Sequence, residues 1–233
     1  MNEETRVTPL IDEHRQLGAR LAEFVGWEMP LWYAGASDEH LAVRQAAGIF
    51  DIGHMGVFEI AGAEAGEFLD TVTTGRITAV ELGRCRYTFL LDHGGLPVDD
   101  IIVYRLQPER IVAVINAANA ERAWRWLAGL ASGETPLDPD DSASARAFDI
   151  SLRDLTAPER GGDRLVGMAL QGPASAGVLE TLVEHAPDLL GMPRFSAVEA
   201  TVAGADALIS RTGYTGEAIG YELFVAADVA TTT

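Results

Sequence analysis

The stretch RYTFLLDHGGLPVDDIIVYRL, residues 86–106, indicates the fold class of this chain. Residues 86–91 alternate in the manner of a half-buried β-strand and lead into Asp92-His93-Gly94-Gly95, a turn signal. A strand rich in β-branched residues is predicted over residues 100–106, and a further strand over residues 110–116. Consecutive strands joined by short turns are typical of an antiparallel sheet.

The elements predicted outward from this hairpin arrive as strand pairs as often as strand–helix–strand units. Apolar spacing predicts helices over residues 8–25, 38–47, 64–73, 120–130 and 174–185. Further strands are predicted over residues 55–60, 148–152, 165–170, 198–202, 207–211 and 221–225, with a turn at residues 203–206. This order favours an α+β fold, with mixed or antiparallel sheets and flanking helices, over a doubly wound parallel sheet.

The charge balance excludes several classes of function. All 17 basic residues are Arg, against 35 Asp and Glu, so the net charge is −18. A chain without lysine cannot form a lysine Schiff base or complete a P-loop. We expect no nucleic-acid partner, because phosphate binding requires a basic surface. The sequence has no run of about 18 apolar residues, so we expect no membrane partner.

The cysteine and histidine residues bear on compartment and metal binding. Cys85 is the single cysteine, which rules out an internal disulfide and a cysteine-based metal cluster. It indicates a reducing compartment, and we expect a cytoplasmic protein. His54, in the run DIGHM, has no second His or carboxylate at a metal-binding spacing. We therefore expect no metal and favour a packing or pocket-wall role for His54.

Asp99 and Asp100 close the motif GGLPVDD, residues 94–100. Because neighbouring residues on a strand point to opposite faces, only one of the two carboxylates can enter a pocket. There it can accept a proton or a hydrogen bond from a reacting amine. A solvated Asp pair beside a turn fits the same residues, so the pattern leaves both interpretations open.

The motif RTGYTGE, residues 211–217, precedes a carboxylate in an unusual place. Two glycines bracket Tyr214 and Thr215, so the backbone can approach a flat ligand closely. Glu222 lies inside an otherwise apolar strand, where a carboxylate needs a partner, such as the two N–H donors of an aminopyrimidine edge. A glutamate on an edge strand that faces water is the alternative.

Taken in order, these stretches resemble the T-protein of the glycine cleavage system, a family of folate-binding aminomethyltransferases. The resemblance includes TPL at residues 8–10, FD at 50–51 with HM at 54–55, GG at 94–95 with DD at 99–100, LQGP at 170–173 and GYTGE at 213–217. Each motif is weak alone, whereas the ordered set extends along the whole chain.

The resemblance implies a fold and a reaction. Family members have three domains in a cloverleaf, and a central channel binds tetrahydrofolate, their co-substrate. They take an aminomethyl group from the lipoyl arm of the H-protein and form 5,10-methylenetetrahydrofolate, ammonia and dihydrolipoyl H-protein. The lipoylated H-protein is therefore the expected partner. Residues 1–233 would form the folate-binding region, with two interleaved α+β subdomains as one arrangement, and the C-terminal barrel of the family is expected to be absent.

The resemblance also assigns site residues. Asp99 matches the catalytic carboxylate that contacts N10 of the folate, and Glu222 matches the glutamate that binds the pterin ring. The other folate-binding positions are Tyr87, a pocket tyrosine; Val114 and Asn116, at the end of a strand; Met55, in a pocket wall; and Tyr214, between the two glycines.

Three related classes are alternatives to a glycine cleavage enzyme. A non-catalytic folate-binding protein, such as the iron–sulfur assembly factor of the superfamily, carries a Lys-Gly-Cys signature that a chain without lysine lacks. The folate domain of a dimethylglycine or sarcosine dehydrogenase would need an attached flavin domain. A folate-dependent demethylase of dimethylsulfoniopropionate is also related and stays open.

Overall fold

The computed structural model describes residues 5–184 and 188–231. Its α-helices are α1 (Ile11–Gln16), α2 (Ala36–Gln45), α3 (Ala65–Val72), α4 (Ala120–Ser132) and α5 (Ser175–Glu180). Its strands are β1 (Arg6–Val7), β2 (Arg20–Phe24), β3 (Trp27–Trp32), β4 (Gly48–Asp51), β5 (Gly56–Ala61), β6 (Arg84–Leu91), β7 (Pro97–Gln107), β8 (Arg110–Ile115), β9 (Ser151–Asp154), β10 (Leu165–Gln171), β11 (Val183–Glu184), β12 (Ala197–Val202), β13 (Ala205–Ser210) and β14 (Gly220–Ala226). The chain divides into two compact units, residues 55–157 and residues 1–54 with 158–233.

The unit of residues 55–157 is built on a five-stranded antiparallel sheet. Its strand order is β6–β7–β8–β5–β9, and β6 and β7 form the hairpin that residues 86–106 predict. Helix α4 buries Ala123, Leu127 and Leu130, which recur every three or four residues along one face. These side chains join sheet residues such as Ile101 and Ile111 in one apolar core.

The unit of residues 1–54 and 158–233 contains two sheets. A six-stranded antiparallel sheet has the order β11–β12–β13–β14–β10–β4, and a three-stranded sheet has the order β1–β3–β2, with β1 parallel to β3. β14 lies in the interior of the larger sheet, and Tyr221 and Val225 on it are fully buried. The helices and antiparallel sheets of both units confirm the predicted α+β class.

The helix predicted over residues 8–25 is wrong beyond its second turn. Helix α1 ends at Gln16, and Gly18 follows with a φ of 74°, a conformation that favours glycine and ends helices. Residues 20–24 then form β2, which pairs with β3, and Ala22 lies opposite Met29. The apolar spacing alone does not distinguish this helix–strand sequence from one long amphipathic helix, because the pairing with β3 decides it.

Two further boundaries differ from the sequence-based predictions. The helix predicted over residues 174–185 ends at Glu180, and Val183–Glu184 instead form β11, which pairs with β12. His185, the last residue of that prediction, lies outside the described residues. The strand predicted over residues 148–152 is found at Ser151–Asp154, because Phe148 packs into the core while β9 pairs with β5.

A strained turn between β2 and β3 gives a test of the fold. Val25 and Gly26 connect the strands with φ values of 53° and 77°, the pattern of a type I′ turn, in which Asn-Gly is preferred. A β-branched residue with positive φ costs about 1–2 kcal/mol. We predict that Val25→Asn raises the free energy of unfolding by about 1 kcal/mol in urea titrations.

The turn at Ala203 and Gly204, between β12 and β13, is a matched comparison because Ala203 has a φ of 49°. Ala203→Asn should also be stabilising, by less than Val25→Asn, because alanine is not β-branched. Lower stability in both variants would contradict this account of the turns.

Candidate functional site

Asp99 and Asp100 lie side by side on β7 and differ in exposure. Asp99 is 4% exposed, whereas Asp100 is exposed. The alternation of a β-strand thus buries one carboxylate of the pair, as the sequence pattern predicts. The interpretation as a solvated pair is therefore wrong for Asp99 and holds for Asp100.

Three neutral N–H groups hold the Asp99 carboxylate. The backbone N–H of Asn116 donates to Oδ2 at 2.8 Å, and the side-chain amides of Asn116 and Asn119 donate to Oδ1 at 3.1 and 2.6 Å. A carboxylate offers about four acceptor positions. Within the described part of the chain, one position on Oδ2 therefore has no donor from the protein.

The contact of Asn119 with Asp99 is not evident from the sequence. Asn119 is the N-cap residue of α4, where an Asn side chain usually accepts an N–H from the first helical turn. Its side chain makes no cap hydrogen bond and donates to Asp99 instead. The sequence feature that could have indicated this contact is the spacing of Asn116 and Asn119, because it places two amides between the end of β8 and the start of α4.

Tyr87 is hydrogen-bonded to Asp100. Its hydroxyl donates to Asp100 Oδ2 at 3.0 Å, and its ring packs edge-on against Phe89 with 5.6 Å between centroids. The hydrogen bond to Asp100 raises the pKa of Tyr87, and desolvation and the charges of Asp100 and Asp99 add to the effect. The Tyr87 hydroxyl therefore keeps its proton at neutral pH.

The antiparallel register brings the predicted site residues of this unit to one part of the sheet but not to one face. Tyr87 and Val114 share the face of Asp100, whereas Asp99 points to the opposite face. The start of β5, the end of β8 and the start of β7 meet there. The residues are Met55 before β5, Val114 on β8 and Asn116 just after it, Asp99 on β7, and Tyr87 on β6, which is level with Val114 through Ile102. Val114 is buried, whereas Met55 is partly exposed.

Glu222 lies in the interior of the six-stranded sheet. It pairs with Ala169 of β10 and Ser210 of β13, and it is 6% exposed. The hydroxyl of Thr212 donates to Glu222 Oε2, and the hydroxyls of Thr212 and Ser210 are 2.6 Å apart. The alternative of an edge-strand glutamate facing water is therefore wrong.

Hydrogen bonds of the Gln171 side chain hold the loop that follows β13 in place. Its Nε2 donates to the backbone carbonyls of Thr212 and Tyr221, at 3.3 and 3.2 Å, and its Oε1 accepts from the hydroxyl of Thr215 at 2.9 Å. Gln171 is only 2% exposed, so these hydrogen bonds form away from bulk water. The loop position that presents Thr212 to Glu222 thus depends on Gln171.

Gly213 and Gly220 leave the space that Gln171 fills. A Cβ at these positions would lie 2.2 and 2.4 Å from Gln171 Oε1, closer than atoms can approach. The sequence pattern predicts that Gly213 makes room for a flat ligand, but a side chain of the protein occupies that space. Tyr214 is 79% exposed, and its assignment to folate binding stays a prediction.

His54 is a packed residue in the unit of residues 1–54 and 158–233. Its ring contacts Phe24 edge-on, with 5.8 Å between centroids. Burial lowers the pKa of His54, although the charge of Asp51 opposes that effect. Among the described residues, no three His, Cys, Asp or Glu side chains form a group that could hold a metal ion.

None of the helices in the described ranges is both long enough and apolar enough to cross a membrane.

The fold and the site define an α+β protein whose antiparallel sheets each hold a buried carboxylate, Asp99 in one unit and Glu222 in the other. The chain belongs to the family described as GCVT N-terminal domain, whose model matches residues 10–233. An aminomethyltransferase of Streptomyces coelicolor is 41% identical over 222 residues, which are 95% of this chain and 54% of that protein. One of Thermotoga maritima is 34% identical over 220 residues, which are 94% of this chain and 54% of that protein.

Solved structures share the fold. The crystal structure of glycine cleavage system aminomethyltransferase T from Bartonella henselae matches with a TM-score of 0.78 and 31% identity, over 98% of this chain and 55% of that chain. The heterotetrameric sarcosine oxidase from Corynebacterium sp. U-96 is similar in fold, with a TM-score of 0.54, 13% identity, and coverage of 85% of this chain and 86% of that chain. The resemblance to the T-protein family is confirmed, and this chain spans about half the length of the aminomethyltransferases it matches.

Substitution of Asn119 tests whether its amide supports Asp99. Asn119→Ala removes a hydrogen bond to a buried carboxylate, and we predict a loss of about 1.5–3 kcal/mol in the free energy of unfolding measured with urea. Asn119→Asp is the matched variant, because Asp is an equally good N-cap but cannot donate when ionised. It should be at least as destabilising as Asn119→Ala; wild-type stability in Asn119→Asp would show that the residue acts only as a cap.

Proposed function

We propose that this chain acts in tetrahydrofolate-dependent aminomethyl transfer, as an aminomethyltransferase of glycine cleavage. Aminomethyl-lipoyl H-protein and tetrahydrofolate would give 5,10-methylenetetrahydrofolate, ammonia and dihydrolipoyl H-protein. The observation that carries the proposal is the state of Asp99. It is a buried carboxylate, fixed by three neutral N–H donors, with one acceptor position left on Oδ2.

Asp99 has the properties that the chemistry at N10 of the folate requires. N10 is an arylamine and a poor nucleophile, and positive charge develops on it as it attacks the aminomethyl carbon. A carboxylate aligned with N10 stabilises that charge and can accept the proton, which is worth about 10²–10⁴ in rate. The neutral donors orient Asp99 without cancelling its charge, so its field acts on the ligand. Binding both reactants in one geometry supplies the other large contribution.

Glu222 is proposed as the group that binds the pterin ring. The aminopyrimidine edge of a pterin presents adjacent N–H donors, which a carboxylate can accept together. Burial supports this role because hydrogen bonds to a charged group are stronger away from water. Thr212 fixes Glu222 Oε2, and Gln171 in turn holds the backbone of Thr212. The remaining proposed folate-binding residues are Tyr87, Val114, Asn116, Met55 and Tyr214.

The proposal extends to partner and compartment. The Bartonella henselae protein is an aminomethyltransferase of the glycine cleavage system, which supports the lipoylated H-protein as the partner of this chain. We propose that residues 1–233 act as the folate-binding region of such an enzyme, in the cytoplasm.

An assay with both reactants tests the function. The chain is incubated with tetrahydrofolate and with H-protein whose lipoyl group carries an aminomethyl group, and ammonia and 5,10-methylenetetrahydrofolate are measured. Formation of both products in equal amounts is expected. Tetrahydrofolate binding without ammonia release would favour a non-catalytic folate-binding protein. Formation of 5-methyltetrahydrofolate from dimethylsulfoniopropionate would favour the demethylase instead.

Asp99→Asn keeps the size of the side chain and removes its charge. We predict that turnover in this assay falls by about 10²–10⁴, while the dissociation constant for tetrahydrofolate changes much less, because the charge acts mainly in the transition state. Asp100→Asn is the matched control on the exposed face of the same strand. Equal losses in the two variants would contradict the assignment of Asp99.

Glu222→Gln tests the pterin assignment. Glutamine can still accept the hydrogen bond from the Thr212 hydroxyl, so the fold should persist. One pterin N–H would then face the amide N–H of the glutamine instead of a carboxylate oxygen. We predict that the affinity for tetrahydrofolate falls by about 10–100-fold, measured by calorimetry. Glu199→Gln, on the neighbouring part of the same sheet, is the control. Unchanged affinity in Glu222→Gln would rule out Glu222 as the pterin-binding group.

A further inference from the structure

A cavity of about 660 Å³ opens beside α2, β3 and β4, and no residue proposed above for folate or catalysis lines it. We propose that this cavity binds an organic ammonium ion, a positively charged amine on an apolar body. The proposal is independent of aminomethyl transfer, because it depends only on the residues of this cavity and the groups bonded to them.

Aromatic side chains form part of the cavity wall. Trp32, Tyr33 and Phe50 line the cavity, and each is more than a third exposed. Aromatic faces attract cations by about 0.5–2 kcal/mol each, and several aromatic rings in one pocket are a recurring means of binding organic ammonium groups. The apolar wall suits the body of such a ligand, and the ring faces suit its charge.

A series of partly buried hydrogen bonds from Asp51 to Tyr33 determines what the Tyr33 hydroxyl can offer to a ligand. The Asp51 side chain is 1% exposed and accepts from the Thr8 hydroxyl at 2.5 Å, from the Gly53 backbone N–H at 2.7 Å and from His14 Nε2 at 2.8 Å. His14 Nδ1 lies 2.8 Å from the Tyr33 hydroxyl. Because Nε2 faces the Asp51 carboxylate, it is the nitrogen that donates in that pair, and in this tautomer Nδ1 accepts from Tyr33.

With this order of donors and acceptors, the Tyr33 hydroxyl can act toward a ligand only as a hydrogen-bond acceptor. A hydroxyl has one proton, and Tyr33 donates it to His14, so its oxygen can only accept from a ligand. Hydrogen bonds aligned in one direction polarise one another, and here all of them point toward the negative charge of Asp51. The N–H groups of an ammonium ion are the matching donors.

A second carboxylate adds negative charge at the same cavity. Glu39 lines the cavity, and its Oε1 accepts from the backbone N–H groups of Tyr33, Ala34 and Gly35. These donors, led by Gly35, lower the pKa of Glu39, so it is ionised at neutral pH. Burial, followed by the charges of Asp51 and Glu39, raises the pKa of Tyr33. The hydroxyl therefore lies in a negative potential that favours a cation.

The arginine of the cavity wall is already paired. Arg44 donates to the carboxylate of Glu217 and to the carbonyl oxygen of Thr215, the latter at 2.9 Å. Its charge therefore opposes a cationic ligand less than a free guanidinium would. The net charge of −18 adds a long-range attraction for cations.

The test uses 2-phenylethylammonium as the probe, with 2-phenylethanol and 3-phenylpropionate as neutral and anionic analogues of similar size. Calorimetry is performed on the full chain at about pH 8, where the probe is charged. We expect the ammonium to bind at least about tenfold more tightly than either analogue. Binding of the carboxylate as tightly as the ammonium, or no binding of the ammonium, would overturn the proposal.

Three variants locate the binding. Tyr33→Phe keeps the ring and removes the acceptor, and should weaken binding of the probe about 2–10-fold. Trp32→Leu should weaken it about 2–5-fold, and Glu39→Gln should weaken it by removing charge. Glu121→Gln, an exposed carboxylate on α4 in the other unit, should leave it unchanged. Equal affinity in wild type, Tyr33→Phe and Trp32→Leu would place the probe elsewhere and overturn the assignment to this cavity.

Discussion

Asp99 is buried and has no cationic partner among the residues that the structure describes, and this is the constraint on which the candidate site depends. A carboxylate removed from water is costly unless other hydrogen-bond donors replace the water. The amides of Asn116 and Asn119 and one backbone N–H replace it here. The end of β8 and the start of α4 must therefore lie against the start of β7, which also gathers the other predicted site residues of this unit in one part of its sheet.

Glu59, a buried carboxylate in the same sheet, is stabilised in a different way, by cationic partners. This carboxylate is 2% exposed and accepts from Arg110 at 2.7 Å and from Arg153 at 2.8 Å. Burial favours its neutral form, but the hydrogen bonds and charges of the two arginines outweigh burial and lower the pKa of Glu59. Its charge is therefore compensated within the protein, whereas the donors to Asp99 in the described part of the chain are all neutral. This difference separates a structural carboxylate from a candidate catalytic one.

Local sequence patterns predict the hairpin of residues 86–106, the α+β class and the burial of one member of the Asp99–Asp100 pair, because all three depend on alternation and turn residues. Local patterns do not predict the features that depend on contacts between residues far apart in the sequence. β2 depends on its pairing with β3, and the space at Gly213 is filled by Gln171, which is 42 residues away in the chain. Asn119 has the sequence signal of a helix cap, and only the fold shows that its amide binds Asp99 instead.

A crystal structure of the chain with tetrahydrofolate would test the central claim most directly. The account predicts that Asn116 and Asn119 keep their hydrogen bonds to Asp99, and that N10 of the folate lies within hydrogen-bond distance of the acceptor position on Asp99 Oδ2. Folate bound with N10 against Asp100, or with Asp99 enclosed by the protein and out of reach of the ligand, would contradict it.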